Sequence, residues 1–383
     1  MSLERVYQIN LQKHFGGGEV YTAFLTRALA QAGVKTTLAT SPHTGFWDRL
    51  LGPDDCERIA VAGDASLLQG LPARSVLVLT HGGLEPEIAQ ALAARHRLVG
   101  IAHMPLYGRR ADAFRHHRLV IPVSDYVRGS LEAALPREKV YPVPLYGIAA
   151  VSRRASAESA LIRRSEYDWD LRKGRDRILA RLYPLWQRLR PVQNYERRPG
   201  LTLGIVSRLT PIKQFPVLLS LLAPHIARQE GVTLDIFGAG GYASVRDLRR
   251  ALRPLGARAR FWGYQQDVGS VYAQLDYLLA GLPEKEALGL NVIEAQSCNL
   301  PVLAVRAAPF TETLIDAKGG FFYADPRQDQ GADFAQLLHR LAAADAPRLA
   351  PAQEQTHLAR FSEAAFTARV SALADVLAQL PAP

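Results

Sequence analysis

Residues 5–40 read RVYQINLQKHFGGGEVYTAFLTRALAQAGVKTTLAT, and this stretch sets the architecture. A short strand-like run, RVYQIN, leads into the glycine triplet Gly16-Gly17-Gly18 and then into the helical pattern EVYTAFLTRALAQAG, before a second strand-like run, KTTLAT. Glycines at such a join let the backbone approach a ligand closely, and the helix start offers free N–H groups to an anion. Tyr21 stands where a dinucleotide fingerprint needs its third glycine, so the turn is not that fingerprint.

The alternation continues. SVLVLT, LVGIAH and LVIPVS read as further strands, with PEIAQALAARH and VRGSLEAAL as helices between some of them. The second half repeats the logic from LTLGIVS through PVLLSLLAPHIARQE, LDIFGAG, VRDLRRALRPLG, RARFWG, YLLAG, LNVIEAQSC and PVLAV. Strands alternating with helices argue for parallel, doubly wound sheets. The expected class is α/β, with two Rossmann-like domains facing across a cleft and the cleft as the default site.

We place the first domain at residues 1–150, the second at 199–350, and terminal helices over 351–383 packing back toward the first. Residues 151–198 fit neither sheet. This segment is arginine-rich, broken by Pro184, and carries Ile178, Leu179, Leu182, Leu185, Trp186 and Leu189 at helical spacing, which reads as a basic helical insertion.

Length and charge narrow the function classes. A chain of 383 residues with 48% hydrophobic content can fill two cores. The net charge of +10 belongs to the first half, and residues 151–198 alone hold 13 Lys and Arg against 6 Asp and Glu. Such a field points to an anionic partner such as a phosphorylated substrate, phospholipid headgroups or nucleic acid. In the insertion, Trp169, Tyr183 and Trp186 would stand near an anionic lipid interface; a helical pair packed on the first domain is the competing reading. Two cysteines without metal spacing, no signal-peptide apolar region and no run of 18 apolar residues lead to the expectation of a soluble, cytoplasmic protein.

Three motifs in the second half carry chemistry. Gly238-Ala239-Gly240-Gly241-Tyr242-Ala243 matches G-x-G-x-x-A, but no carboxylate follows until Asp267, so a dinucleotide site is not indicated. Ser207-Arg208-Leu209-Thr210-Pro211-Ile212-Lys213 puts two cations in a strand-to-helix loop, a pairing suited to a diphosphate. Residues 286–294, EALGLNVIE, set two glutamates around a helix start. On one continuous helix they would stand roughly 80° apart, so they share no stripe. Backbone N–H groups at Gly289, Leu290 and Asn291 can meet a phosphate, whereas Glu286 and Glu294 would repel it and must accept from hydroxyls. A ligand with a diphosphate between a sugar and a ribose has that form.

The ordered set SRLTPIK, FGAGG, FWGYQQD, EALGLNVIEAQSCNLPVLA and Glu312 resembles the donor domain of glycosyltransferase family 4, whose fold is GT-B. In the first half the glycine loop, LVGIAH, VSDYVRGSL and VYPVPLYGI are similar to the family's other landmarks. The resemblance implies a retaining, metal-independent transferase with no cofactor, which takes a nucleotide sugar, UDP- or GDP-linked, to a carbohydrate or lipid-linked acceptor of cell-envelope synthesis. It assigns Arg208 and Lys213 to the diphosphate, Glu286 to the sugar and Glu294 to the ribose. Gly17, Gly18, Gly238 and Gly289–Asn291 would help cradle the donor, Tyr264 would approach the base, and His103 would contact the sugar near the reacting carbon. His81, in THGG, is a candidate on the acceptor side. Ala287 and Leu288, where the family more often has glycine and an aromatic, point to a reshaped sugar pocket. The alternatives are another nucleotide-sugar enzyme, a hydrolase or epimerase, or a non-enzymatic basic protein binding nucleic acid or anionic lipid. No recognised nucleic-acid module accompanies the last.

Overall fold

Each half of the chain builds a six-stranded parallel sheet. The computed structural model describes residues 3–13, 16–42, 44–106, 111–149, 151, 161–169, 174–188 and 192–383, with only the backbone for 64–65, 175 and 184–188. The chain divides into one unit of Met1–Ile148 with Ala359–Pro383 and a second of Ala149–Leu358.

In the first unit β1 (Arg5–Asn10), β2 (Lys35–Thr40), β3 (Glu57–Ala60), β4 (Leu77–His81), β5 (Arg97–Ala102) and β6 (Leu119–Pro122) lie in the order β3-β2-β1-β4-β5-β6. In the second, β7 (Leu201–Val206), β8 (Val232–Phe237), β9 (Ala259–Gly263), β10 (Tyr277–Leu279), β11 (Val302–Val305) and β12 (Gly320–Tyr323) lie in the order β12-β11-β10-β7-β8-β9. Both are the doubly wound Rossmann order. The α/β class with two Rossmann-like domains, expected from the alternation of runs, is what the chain forms. The direction of strand addition reverses between β1 and β4 in one sheet and between β7 and β10 in the other.

Helices on both faces explain why the inner strands are buried along most of their length rather than on alternate residues. All six residues of β8 are buried, Asp235 among them. One core joins β7, β8 and β10 to the helix Phe215–Arg228 through Leu218, Leu219, Leu222 and Ile226. The terminal helix Glu363–Gln379 belongs to the first unit. It buries Phe366, Val370, Leu373 and Leu377, and Phe366 meets Tyr21 of the helix Gly17–Gln31 edge to face at 5.5 Å.

The basic segment differs from its sequence reading. Its residues 174–188 form one helix that continues through Pro184, where a break was expected, but 161–169 and 192–199 have no regular secondary structure beyond isolated bridges and belong to the second unit, not the first. Ile162 bridges Asn194, and Tyr167 bridges Gly240. Leu161 and Tyr195, on either side of the helix, join Phe237 and Trp262 in a core. Asp235 anchors the attachment. Its carboxylate takes a bidentate pair from Arg260 at 2.7 Å, a bond from Tyr195 at 3.0 Å and one from the Trp262 indole at 3.1 Å. Trp169 stacks on Tyr167 at 5.0 Å and stands 5.8 Å from Tyr183. Ile178 and Leu182 of the expected apolar face are exposed; Leu189 lies outside the described residues, as do the side chains of Leu185 and Trp186.

Candidate functional site

The second sheet opens at its carboxyl edge where β7 and β10 diverge in connection, the position at which doubly wound sheets bind ligands. The loop after β7 carries Arg208, exposed, and Lys213, half-buried, ending in a 3-10 turn, Pro211–Lys213. The connection after β10 carries Glu286 and leads into the helix Leu290–Ser297. Asn291 donates to the Val206 carbonyl at 3.2 Å, which ties this helix start to the end of β7.

Gly289 caps the helix with φ 81°, and a Cβ there would stand 3.0 Å from the Phe310 ring, so both conformation and packing demand glycine. The first N–H groups of a helix lack intrahelical partners and carry the positive end of its dipole. Four residues before the helix, Glu286 Oε2 is ion-paired with Lys213 Nζ, with 24% of the lysine and 15% of the glutamate side chain exposed. Glu286 therefore lies in the loop and Glu294 on the helix, four residues past its first, Leu290.

Glu294 accepts a 3.0 Å hydrogen bond from the Tyr272 hydroxyl. Burial raises the carboxyl pKa, while the Tyr272 bond and the charge of Lys213 hold the rise back. Burial and the neighbouring carboxylate push Tyr272 well above the usual phenol range, so it donates. The set brings cations and free helix N–H groups together with two carboxylates, Glu286 paired with Lys213 and Glu294 accepting from the Tyr272 hydroxyl.

Gly238 and Tyr264 lie along the same edge, after β8 and β9. Gly238 has φ 150°, and a Cβ would fall 1.9 Å from the Ser207 carbonyl oxygen, so the β8 turn packs directly under the Arg208 loop. Tyr264 is 57% exposed.

In the first unit the equivalent reversal lies between β1 and β4. Gly17 and Gly18 open the helix Gly17–Gln31, and a Cβ at either would meet nothing within 4 Å. His81 ends β4 and His103 follows β5; their rings stack at 5.4 Å, with His81 Nδ1 3.1 Å from His103 Nε2. The Tyr21 ring edge meets His103 at 4.9 Å. Burial lowers His81 well below the usual imidazole range, with His103 adding to the effect, and burial lowers His103 to about 4. Both rings are neutral at pH 7.

The sequence reading missed Gln8, Thr22, Thr26 and Tyr272. Gln8 and the two threonines are buried polar residues, and His81 Nε2 lies 2.8 Å from Gln8 Oε1. The available signal was a polar residue inside the β1 run and threonines at i, i+4 on the helix behind it.

Residues 200–344 match the family described as Glycosyl transferases group 1. That stretch is 145 of the 383 residues, less than half of the chain. It contains Arg208, Lys213, Gly238, Tyr264, Glu286, Gly289–Asn291 and Glu294. Among curated proteins, D-inositol 3-phosphate glycosyltransferase 2 of Catenulispora acidiphila is 34% identical over 189 residues, 45% of this chain and 42% of the relative. A GDP-mannose-dependent monoacylated alpha-(1-6)-phosphatidylinositol monomannoside mannosyltransferase of Corynebacterium glutamicum is 31% identical over 121 residues, 30% of this chain and 31% of the relative. The chain thus spans less than half the length of these relatives.

Among solved structures, HepE of Anabaena in complex with UDP and glucose aligns with TM-score 0.70 at 16% identity, covering 98% of this chain and 100% of that one. Sucrose-phosphate synthase of Thermosynechococcus elongatus aligns with TM-score 0.68 at 16% identity, covering 98% and 99%. At such identity these likenesses establish the fold, two Rossmann-like domains of the GT-B class.

Proposed function

We propose that the protein is a glycosyltransferase that moves a sugar from a nucleoside diphosphate to an acceptor hydroxyl, with retention and without a metal ion. The observation that carries the reading is the Lys213–Glu286 ion pair beside the start of the helix Leu290–Ser297, inside the group 1 domain. An arriving diphosphate competes with Glu286 for Lys213. The displaced carboxylate becomes free to accept from a sugar hydroxyl, while Lys213, Arg208 and the helix N–H groups stabilise charge on the departing phosphate. Glu294, oriented by Tyr272, accepts from the ribose.

UDP or GDP as the leaving group is supported by the UDP complex of HepE and by the GDP-mannose dependence in the mannosyltransferase's name. A carbohydrate or lipid-linked acceptor in envelope synthesis is supported by the relatives named for inositol phosphate and phosphatidylinositol mannoside. Among the described residues no helix is long and apolar enough to cross a membrane. The charge excess of residues 151–198 supports contact with an anionic membrane surface instead.

The test is incubation with UDP- and GDP-sugars in EDTA, with and without inositol phosphate, sugar and lipid-linked acceptors, reading nucleotide release and the product's anomeric configuration by NMR. Release that requires an acceptor and yields the donor's anomer is expected. Equal release without acceptor would identify a hydrolase, and no release in any mixture would overturn the proposal.

A further inference from the structure

A directed string of hydrogen bonds runs through the buried interior of the first unit and ends at His103. It starts at a carbonyl. Thr26 Oγ1 donates to the Thr22 carbonyl at 2.9 Å, which commits its only proton. Thr26 Oγ1 can then only accept, so Gln8 must present its NH₂ there, at 2.9 Å. This turns the Gln8 carbonyl oxygen toward His81, 2.8 Å from Nε2, and that nitrogen must carry the His81 proton. A neutral His81 is left with a lone pair on Nδ1.

Two groups stand 3.1 Å from that lone pair, Thr22 Oγ1 and His103 Nε2. Thr22 donates to the Gly18 carbonyl at 2.8 Å and accepts from Asn10 Nδ2 at 2.9 Å. The Asn10 orientation is itself set, because its Oδ1 accepts from the Gln12 N–H at 3.2 Å. His103 Nε2 is thus the donor to His81; two opposed lone pairs at this separation would repel. His103 keeps an unprotonated Nδ1, which has no hydrogen-bond partner among the described residues.

We propose that Gln8 and His81 are positioning residues that lock His103 in its Nε2–H tautomer, so that Nδ1 is presented as an acceptor to a substrate sugar hydroxyl. The lock stands on the hydrogen bonds alone; the owner of the hydroxyl rests on the glycosyltransferase reading. His103 then discriminates by accepting, and a sugar lacking the matching hydroxyl leaves Nδ1 unpaired.

The test is ¹⁵N NMR of histidine-labelled protein at pH 7, where pyrrole-like and pyridine-like nitrogens resolve. In the wild type, His81 and His103 are both expected to show protonated Nε2 and bare Nδ1; a protonated Nδ1 on His103, or an averaged signal, would overturn the lock. Gln8→Met removes the acceptor for His81 and is expected to give averaged tautomers at both rings. His81→Gln serves if that variant does not fold, since it can still accept from His103 and is expected to preserve the His103 pattern. Unchanged tautomers in Gln8→Met would show that Gln8 positions nothing.

Saturating UDP-glucose and GDP-mannose are then compared with UDP and GDP. One sugar nucleotide should move the His103 Nδ1 resonance while its nucleotide does not. Binding seen by calorimetry without that movement contradicts the hydroxyl assignment, whereas no binding of any of the four contradicts the glycosyltransferase reading and leaves the lock as measured.

Discussion

Lys213 and Glu286, 73 positions apart in the chain, are ion-paired at the point where the second sheet reverses its strand order. Neither loop has a reason to hold a charge there for stability, since partly exposed pairs contribute only about 0–1 kcal/mol. Under the proposed function the carboxylate holds this position until a phosphate displaces it.

Glu286→Gln should therefore bind UDP or GDP more tightly than the wild type, by a few-fold, because Lys213 is released. Sugar transfer should fall at the same time by roughly 10- to 100-fold, the effect of losing a charged hydrogen bond of about 1.5–3 kcal/mol. Lys213→Ala should weaken both. Calorimetric affinities beside steady-state rates check this; weaker nucleotide binding in Glu286→Gln would refute the competition.

Glu294 has its pKa raised by burial and held down by Tyr272. A raised carboxyl is ionised only above its shifted pKa, so affinity for a ribose-bearing ligand should decline as pH falls, beginning above the usual carboxylate range. Tyr272→Phe should move the decline to higher pH. Nucleotide affinity measured from pH 8 to pH 5 in both proteins decides it, and superimposable profiles would remove Tyr272 from the site.

Asp235→Ala leaves Arg260 without its bidentate partner in a site where the carboxylate is fully buried. Breaking a buried pair on one side costs about 3–5 kcal/mol. Denaturant unfolding should show that loss, and limited proteolysis should open residues 161–169, because Tyr195 and Trp262 also lose their acceptor. A loss below 1 kcal/mol would mean the node is relaxed by water.

The first unit should be acid-labile. His117 and His103 are held neutral by burial, at about 3 and about 4, whereas an unfolded histidine binds its proton near 6.5. Between those values the unfolded chain takes up protons that the folded chain does not, so stability is complete above about pH 6.5 and falls toward pH 4. His117→Gln can keep a bond to Thr80, now 3.0 Å from His117 Nε2, and should flatten this slope. An unchanged slope would place the acid sensitivity elsewhere.

How much of this was legible in the sequence depended on how local the cause was. The runs that became β1, β2, β7 and β8 were visible because short β-like runs alternated with helical patterns, the signature of parallel, doubly wound sheets. β3 was missed because its four residues, Glu57–Ala60, lie on an edge and are mostly exposed. Lys213, Glu286 and Glu294 were found as residue types after strand ends and around a helix start, but the Lys213–Glu286 pair depends on the β7–β10 adjacency, which no spacing encodes. The basic segment was misread as helical throughout because its attachment rests on Asp235 and Trp262, far along the chain. The Gln8–His81–His103 string was invisible for the same reason, as its members come from β1, β4 and the turn after β5.

The most direct test of the donor site is thermal unfolding with UDP, GDP, ADP and TDP in EDTA, for the wild type and for a Lys213→Ala/Glu294→Ala variant. A ligand at about 100 times its Kd adds roughly 2.7 kcal/mol, a readable shift in Tm. At least one diphosphate is expected to raise Tm in the wild type and to leave the variant unmoved. No shift with any of the four, or equal shifts in both proteins, would contradict it.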